Sequence, residues 1–539
     1  MPGESAQQIV SGFRYANSDF EGGQGVARQY LANPDWQPDN GVQVIEPDNT
    51  PTVSAKGNNL LVHYADSQVG VITPDGTFQP NPSPSPITHD YELTKDSKDK
   101  GQWRILNPPK FLVLSVAQVN SSYQKKNVYF LRPDGHMLVP IRVYLPVPSV
   151  RLAETLLGTL LKGPPAWLNP AVTTALPPRV TLLEAPTASN GITTVNLSRD
   201  VANLSQALRD ELAAQIIYTL QDYGPIRILV AGAPLVNGPR IAAVQTTQTW
   251  SAFDADATPV DSFYYSGVDH KIHDDRSQVV LGDTGSGGLI QLIAPVVAPR
   301  VTVGGTADLI AGIASSSSGF ALYAGPFRSP RVLLYGAAFT TPSWDSLGNV
   351  WTVQRQDSSS PQQVRVALSA PTTSTTTTTV ALPASSVAAP QLANYVIESL
   401  HVSRDGTRVA VVAKSTVGTQ VLVGVVARAG DSIKLQNFYP VAPSLTSVTD
   451  CVWASSNTLD VLVSSIGANG PTAASQLWSV DVDGWPSSQR ELFVLSNAQS
   501  IAAAPGKPLV VGTASNQIEV FDHETWREVG LGTNPSYPG

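Results

Sequence analysis

The chain has 539 residues, 42% hydrophobic and 14% charged, which is too long for one core and apolar enough for several, so global disorder is excluded and roughly three domains are expected. Its formal charge is −8, from 42 acidic and 34 basic residues with no Lys or Arg run, which excludes the clustered basic face that a nucleic-acid partner needs. One cysteine, Cys451, lies in the apolar stretch SVTDCVWAS, so no intrachain disulfide can form and a buried thiol is expected.

Residues 6–31 carry a helical apolar pattern, with Ile9, Val10 and Phe13 near its start and Val26, Tyr30 and Leu31 near its end, and residues 21–25 break it in two. Short alternating runs follow at 42–45, 60–64 and 69–73, and the proline-rich PNPSPSP at 80–86 reads as an extended linker. A hairpin of 91–94 with 102–106, around KDSKDKG, ends this unit. Two helices followed by a curved antiparallel sheet closing on GQWRI resemble the NTF2-like fold. That resemblance implies a cone-shaped interior, expected here to be apolar, and a structural or docking module over residues 1–110. NPPK at 107–110 begins a connection, and 111–119 is expected to pack between the first two domains.

The second unit spans 111–250, with its compact part at 129–244. Leu152, Leu156, Leu157, Leu160 and Leu161 form one stripe of an amphipathic helix, opened by Ser149 as N-cap and stopped by Gly163, Pro164 and Pro165. Strands are expected at 180–184 and 192–197, the second entered from the turn Asn190–Gly191. A second helix at 206–222 stacks Leu208, Leu212, Ile216 and Leu220, ends at Gly224 and Pro225, and precedes a strand at 226–231. LLKGPP, VNLS, the long helix and the closing strand are similar to the GerMN domain of sporulation and spore-germination proteins, an α+β fold.

From 258 to 539 the chain shows no long amphipathic helix and repeats a grammar of short strands: 400–403, 409–413 and 420–426; then 449–453, 459–464 and 476–482; then 500–503, 509–512 and 517–521. Four strands per repeat of about 40 residues is the signature of a β-propeller, here of about six blades. The last strands are expected to complete the first blade, and TTSTTTTTV at 372–380 reads as an insertion loop. The fold class is therefore multidomain, α+β and all-β: NTF2-like, GerMN-like and propeller.

No constellation amounts to an active site. GDTGSGG at 282–288 is superficially similar to the nucleophile loop of trypsin-like proteases, but threonine replaces the serine and no His motif precedes it. His270, His273, Asp274 and Asp275 are the densest metal-capable set, yet residues three apart on a strand face opposite ways, so a solvated loop is the expectation. Asp481, Asp483 and Gly484 in VDVDG read as a strand entering a turn, as do Arg404, Asp405 and Gly406; Trp344 and Asp345 are expected to lock adjacent strands. His63, His89, His136, His401 and His523 are scattered singly, which suits surface or cap roles. No phosphate-cradling or dinucleotide motif occurs, so no catalytic, cofactor or metal residue is assigned, and interface residues are not legible.

Taken whole, the chain resembles the LpqB family of actinobacterial lipoproteins associated with the MtrAB two-component system. The resemblance implies a non-enzymatic accessory on the extracytoplasmic face of the cell membrane. It also implies binding to the sensor kinase MtrB and an effect on envelope homeostasis. Met1 is followed by polar PGESAQQ, so a signal sequence and lipid-bearing cysteine are expected to precede Pro2. Alternative readings are a cell-wall glycan-binding protein and a propeller glycosidase, which would need two carboxylates about 5–9 Å apart in one cleft.

Overall fold

The computed structural model describes all residues except 1–2, 21–22, 39–40, 48–49, 97–100, 148–150, 237–241, 258–261, 282–291, 299–308, 318, 328–329, 358, 369–383, 431, 465–473 and 487–489. Ser149, the 282–288 loop and the threonine tract therefore lie outside the described residues.

The first helix, Ala6–Ala16, opens on Ser5, whose hydroxyl accepts from the Gln8 N–H while the Gln8 side chain accepts from the Ser5 N–H. This reciprocal cap satisfies donors that a helix start leaves without partners. Ile9, Val10 and Phe13 share one face, and all three are buried against a sheet of order Gln102–Ile105, Phe78–Asp96, Asn59–Ile72, Val42–Pro47, Leu112–Ser115.

Three expectations change in this domain. PNPSPSP is not a linker: it lies within the strand Phe78–Asp96, paired to Asn59–Ile72 on one side, while Gln102–Ile105 reaches only its far end. Proline lacks an N–H and is tolerated on such an unpaired edge. Residues 112–115 join the sheet in parallel with 42–45, and the helix Val116–Ser122 follows, so the first domain runs past 110 instead of leaving a spacer. The interior is not purely apolar either. Asp66, 1% exposed, accepts two hydrogen bonds from Arg14 and faces His89 Nδ1 at 3.1 Å, while His89 Nε2 lies 2.8 Å from Gln43. Although desolvation alone would raise it, hydrogen bonds from His89 and Arg14 hold the Asp66 carboxyl below its usual value.

In the second domain the helix Leu152–Leu161 ends at Lys162 and Gly163, whose φ of +85° is the left-handed stop that glycine adopts without strain. Leu156, Leu157 and Leu160 are buried, as their spacing predicts. The second helix, Gln206–Thr219, is shorter than expected and leaves Leu208 exposed, whereas Leu212, Ile216 and Leu220 are buried. Ile192–Leu197 pairs in parallel with Ile226–Val230. Residues 180–184 make only a single bridge, Leu182 to Leu197, and the neighbouring strand on that sheet is Thr187–Ser189, across the Asn190–Gly191 turn.

Beyond it stand six blades among the described residues. Four are separate sheets; the other two share the long strand Thr525–Ser536, whose first half pairs with Gln517–Asp522 of the last blade and whose second half pairs with Tyr264–Gly267 of the first. The ring closes as the strand grammar predicts. Buried acids fasten the blades. Asp345 accepts from the Asn349 N–H, from Trp351 Nε1 and from Arg428 of the next blade, and Asp405 accepts from Ser403, Thr407 and Arg408. Trp344, also fully buried, donates to the Val296 carbonyl.

Asp460, in the fifth blade, has the opposite electrostatics: burial pushes its carboxyl up to about 6 against the weaker pull of Ser479 and Arg490. The folded chain holds this proton to higher pH than the unfolded chain does. Its contribution is therefore complete below the ordinary value near 3.9 and is lost as pH rises through about 6. Asp460→Asn is expected to raise stability at neutral pH by about 2 kcal/mol and to flatten the slope of urea midpoint against pH in that window. A variant with the wild-type slope would contradict this.

Candidate functional site

Antiparallel order within each blade puts the turns after the first and third strands at one end of the propeller, and those after the second and fourth at the other. The other two domains dock at the first of these ends. There the loop after Ala474–Asp481 of the fifth blade carries VDVDGWP into the joint. Asp481 accepts from Lys125 Nζ at 3.2 Å and Arg142 Nη1 at 2.7 Å, and Asp483 accepts from Tyr144 Oη at 2.7 Å. Desolvation at this joint raises the Asp483 carboxyl above its usual value. Trp485 is 1% exposed and completes the first domain's core, with its ring 4.7 Å from Phe78 and 4.8 Å from Tyr144 and its Nε1 donating to Asn120. Gly484 has φ +76°, and a Cβ there would lie 2.9 Å from Pro80. The turn thus requires glycine for its conformation and for its clearance.

The second domain adds Arg132. Its guanidinium is held by Asp134 and donates to Ser346 Oγ and to the Asp405 carbonyl, on the corresponding turns of blades three and four. Asp256, on the segment leading into the propeller, accepts from the N–H and hydroxyl of Ser456 in blade five.

Along the axis runs a cavity of about 100 Å³ between the innermost strands. His401 and Asp450 face it. Asp450 accepts from the N–H groups of Cys451 and Ile501, and its Oδ1 lies 3.7 Å from His401 Nε2, a nitrogen without a hydrogen-bond partner. The docked end of the cavity is filled by the chain's own residues 537–539. The Gly539 N–H donates to the Val297 carbonyl, Arg404 donates to the Pro538 carbonyl, and Tyr537 Oη donates to Pro508.

Comparison with known proteins places this architecture. Residues 1–120 match the family described as the N-terminal domain of lipoprotein LpqB, residues 127–236 the sporulation and spore germination family, and residues 295–538 the LpqB beta-propeller domain. Lipoprotein LpqB of Thermobifida fusca is 30% identical, aligned over 100% of this chain and 91% of that protein. This chain belongs to the LpqB family. Lipoprotein LpqB of Nocardia farcinica is 27% identical over 100% of this chain and 91% of its own. Among solved structures, the tandem GerMN domains of GerM from Bacillus subtilis are similar over 23% of this chain and 45% of that one, at 16% identity and TM-score 0.20. TolB from Acinetobacter baumannii is similar over 52% and 66%, at 9% identity and TM-score 0.37.

Within this LpqB-family chain the residues singled out by sequence take definite places. His273 stacks on Tyr265, with Nε2 2.8 Å from Asp269 and Nδ1 3.1 Å from the Ser277 carbonyl; Asp274 caps the same hairpin through the Arg276 and Gln278 N–H groups. His270 and Asp275 sit in the adjoining turns, and among the described residues no three His, Cys, Asp or Glu side chains converge as a metal cluster. Cys451 is buried, and burial reinforced by Asp450 pushes its thiol well above the ordinary range. Two histidines depart from surface roles: His89 belongs to the Asp66 cluster, and His401 faces the channel. Asp481 and Asp483 are turn residues as read, but their partners come from other domains. No helix among the described residues is long and apolar enough to cross a membrane.

Proposed function

We propose that this chain acts by contact, as a lipid-anchored extracytoplasmic accessory that binds the sensor domain of an MtrB-like histidine kinase and biases its signalling to MtrA. The kinase and its regulator come from the family resemblance. The observation that carries the mode of action is the joint: Arg132, Asp256, Asp481, Asp483 and Trp485 fasten three domains into one body at one end of the propeller. A body held in one arrangement loses little internal freedom on binding, so more of its contact energy appears as affinity. It biases the kinase by binding one of its conformations more tightly than the other.

Calorimetric titration of the full chain with the purified sensor domain is expected to give a one-to-one complex of about micromolar Kd, in keeping with a transient contact. No heat with the sensor domain, together with saturable binding of muropeptides, would replace this reading with a glycan-binding one.

A further inference from the structure

At the end of the propeller away from the other domains, the innermost strands begin with exposed apolar side chains. Ile293 opens the second blade, Val396 opens the fourth, and Leu531 stands where the last blade crosses into the first. Val268, Tyr335 and Val417 lie farther out at the same end, on turns and strand ends, and Val417 is 88% exposed. None of them is needed for the cores described above. They ring the mouth of the channel whose other mouth is shut by Tyr537–Pro538–Gly539, so the cavity is a well that opens toward this rim.

Its walls suit one kind of guest. The innermost strand of each blade is paired on one side only, so its other edge turns backbone N–H and carbonyl groups to the axis. The chain already uses such an edge: the Gly539 N–H donates to the Val297 carbonyl, and Arg404 binds the Pro538 carbonyl, as they would for any extended peptide. Deeper in, Asp450 offers an acceptor and His401 Nε2, with its proton on that nitrogen, offers a donor without a partner, 3.7 Å apart. A peptide unit presents the complementary donor and acceptor.

We infer that the open end of the propeller is a peptide-binding well that takes an extended segment of the protein partner, apolar where it crosses the rim and hydrogen-bonded through its backbone to His401, Asp450 and the inner strand edges. This rests on the contact reading above, and the two fail differently. The test compares the full-length wild type, the rim variant Val396→Glu/Leu531→Glu and His401→Ala, each titrated with the kinase sensor domain and with overlapping synthetic peptides covering that domain. Both replaced rim residues are exposed, so thermal midpoints should match the wild type.

Expected is a loss of affinity of about tenfold or more in the rim variant, a smaller loss in His401→Ala, and at least one linear peptide that competes with the domain on the wild type. Equal binding by the rim variant and the wild type would leave the accessory role standing and remove the well. Weaker binding by the rim variant with no competing peptide would overturn the extended occupant. A rim variant that changes only self-association, or only adsorption to lipid vesicles, would assign the rim to a second copy or to the membrane and overturn the inference. No binding of the sensor domain to the wild type removes the kinase reading and this inference with it.

Discussion

Asp405→Ala is expected to destabilise the propeller by about 3–5 kcal/mol, read as a lower urea midpoint followed by tryptophan fluorescence. Asp405 is fully buried. It takes hydrogen bonds from the hydroxyls of Ser403 and Thr407 and from the Thr407 N–H, and its Oδ2 lies 2.8 Å from Arg408 Nη2. Removing the carboxylate leaves the Arg408 guanidinium buried, with only the Ser456 carbonyl as a hydrogen-bond acceptor, and an uncompensated buried charge is the costly outcome. Desolvation alone would raise this carboxyl, but Arg408, Ser403 and Thr407 outweigh it and hold it below the ordinary value. Its contribution is therefore present above the unfolded value near 3.9 and is lost as pH falls through the depressed folded one. A loss under about 1 kcal/mol at neutral pH would show that Arg408 finds another partner.

Trp485→Ala is the second large effect, about 3–5 kcal/mol, and it should fall on the joint more than on the propeller. The indole fills a space between Phe78 and Tyr144 in the first domain's core, and its Nε1 donates to Asn120 there. Truncation opens a cavity between domains and strands that acceptor. Limited proteolysis of the intact chain should then release the first domain sooner, while the urea midpoint of the propeller stays near the wild type. Trp485→Phe should recover much of the packing without the hydrogen bond. Unchanged proteolysis in the alanine variant would mean that the ion pairs of Asp481 and the Tyr144–Asp483 hydrogen bond hold the joint without it.

These two residues mark how far the sequence could be read. Asp405 lies in SRDGT, and turn chemistry is legible there because Gly406 supplies the positive φ and Ser, Asp and Thr supply short-range acceptors and donors. That the same carboxylate would be fully buried and paired with Arg408 was not legible, since burial depends on the neighbouring blade. VDVDGWP reads as a strand and turn for the same local reason, but the lysine, arginine and tyrosine that meet its acids stand more than 300 positions away. Leu208 failed the other way: its spacing predicts a buried stripe, yet the first turn of its helix projects beyond the core it was assigned to.

Local order in this protein follows from residues near one another in the chain: the capping box at Ser5, the stop at Gly163, the Asn190–Gly191 turn and the four-strand rhythm of the blades. Each is set by backbone dihedrals and side-chain periodicity, which act over a few residues. Tertiary structure alone decided that a proline-rich stretch would be an edge strand, that His401 would face Asp450 across the channel, and that one tryptophan of the propeller would finish the core of another domain. Those outcomes depend on desolvation and packing between distant segments, and no periodicity records which segments meet.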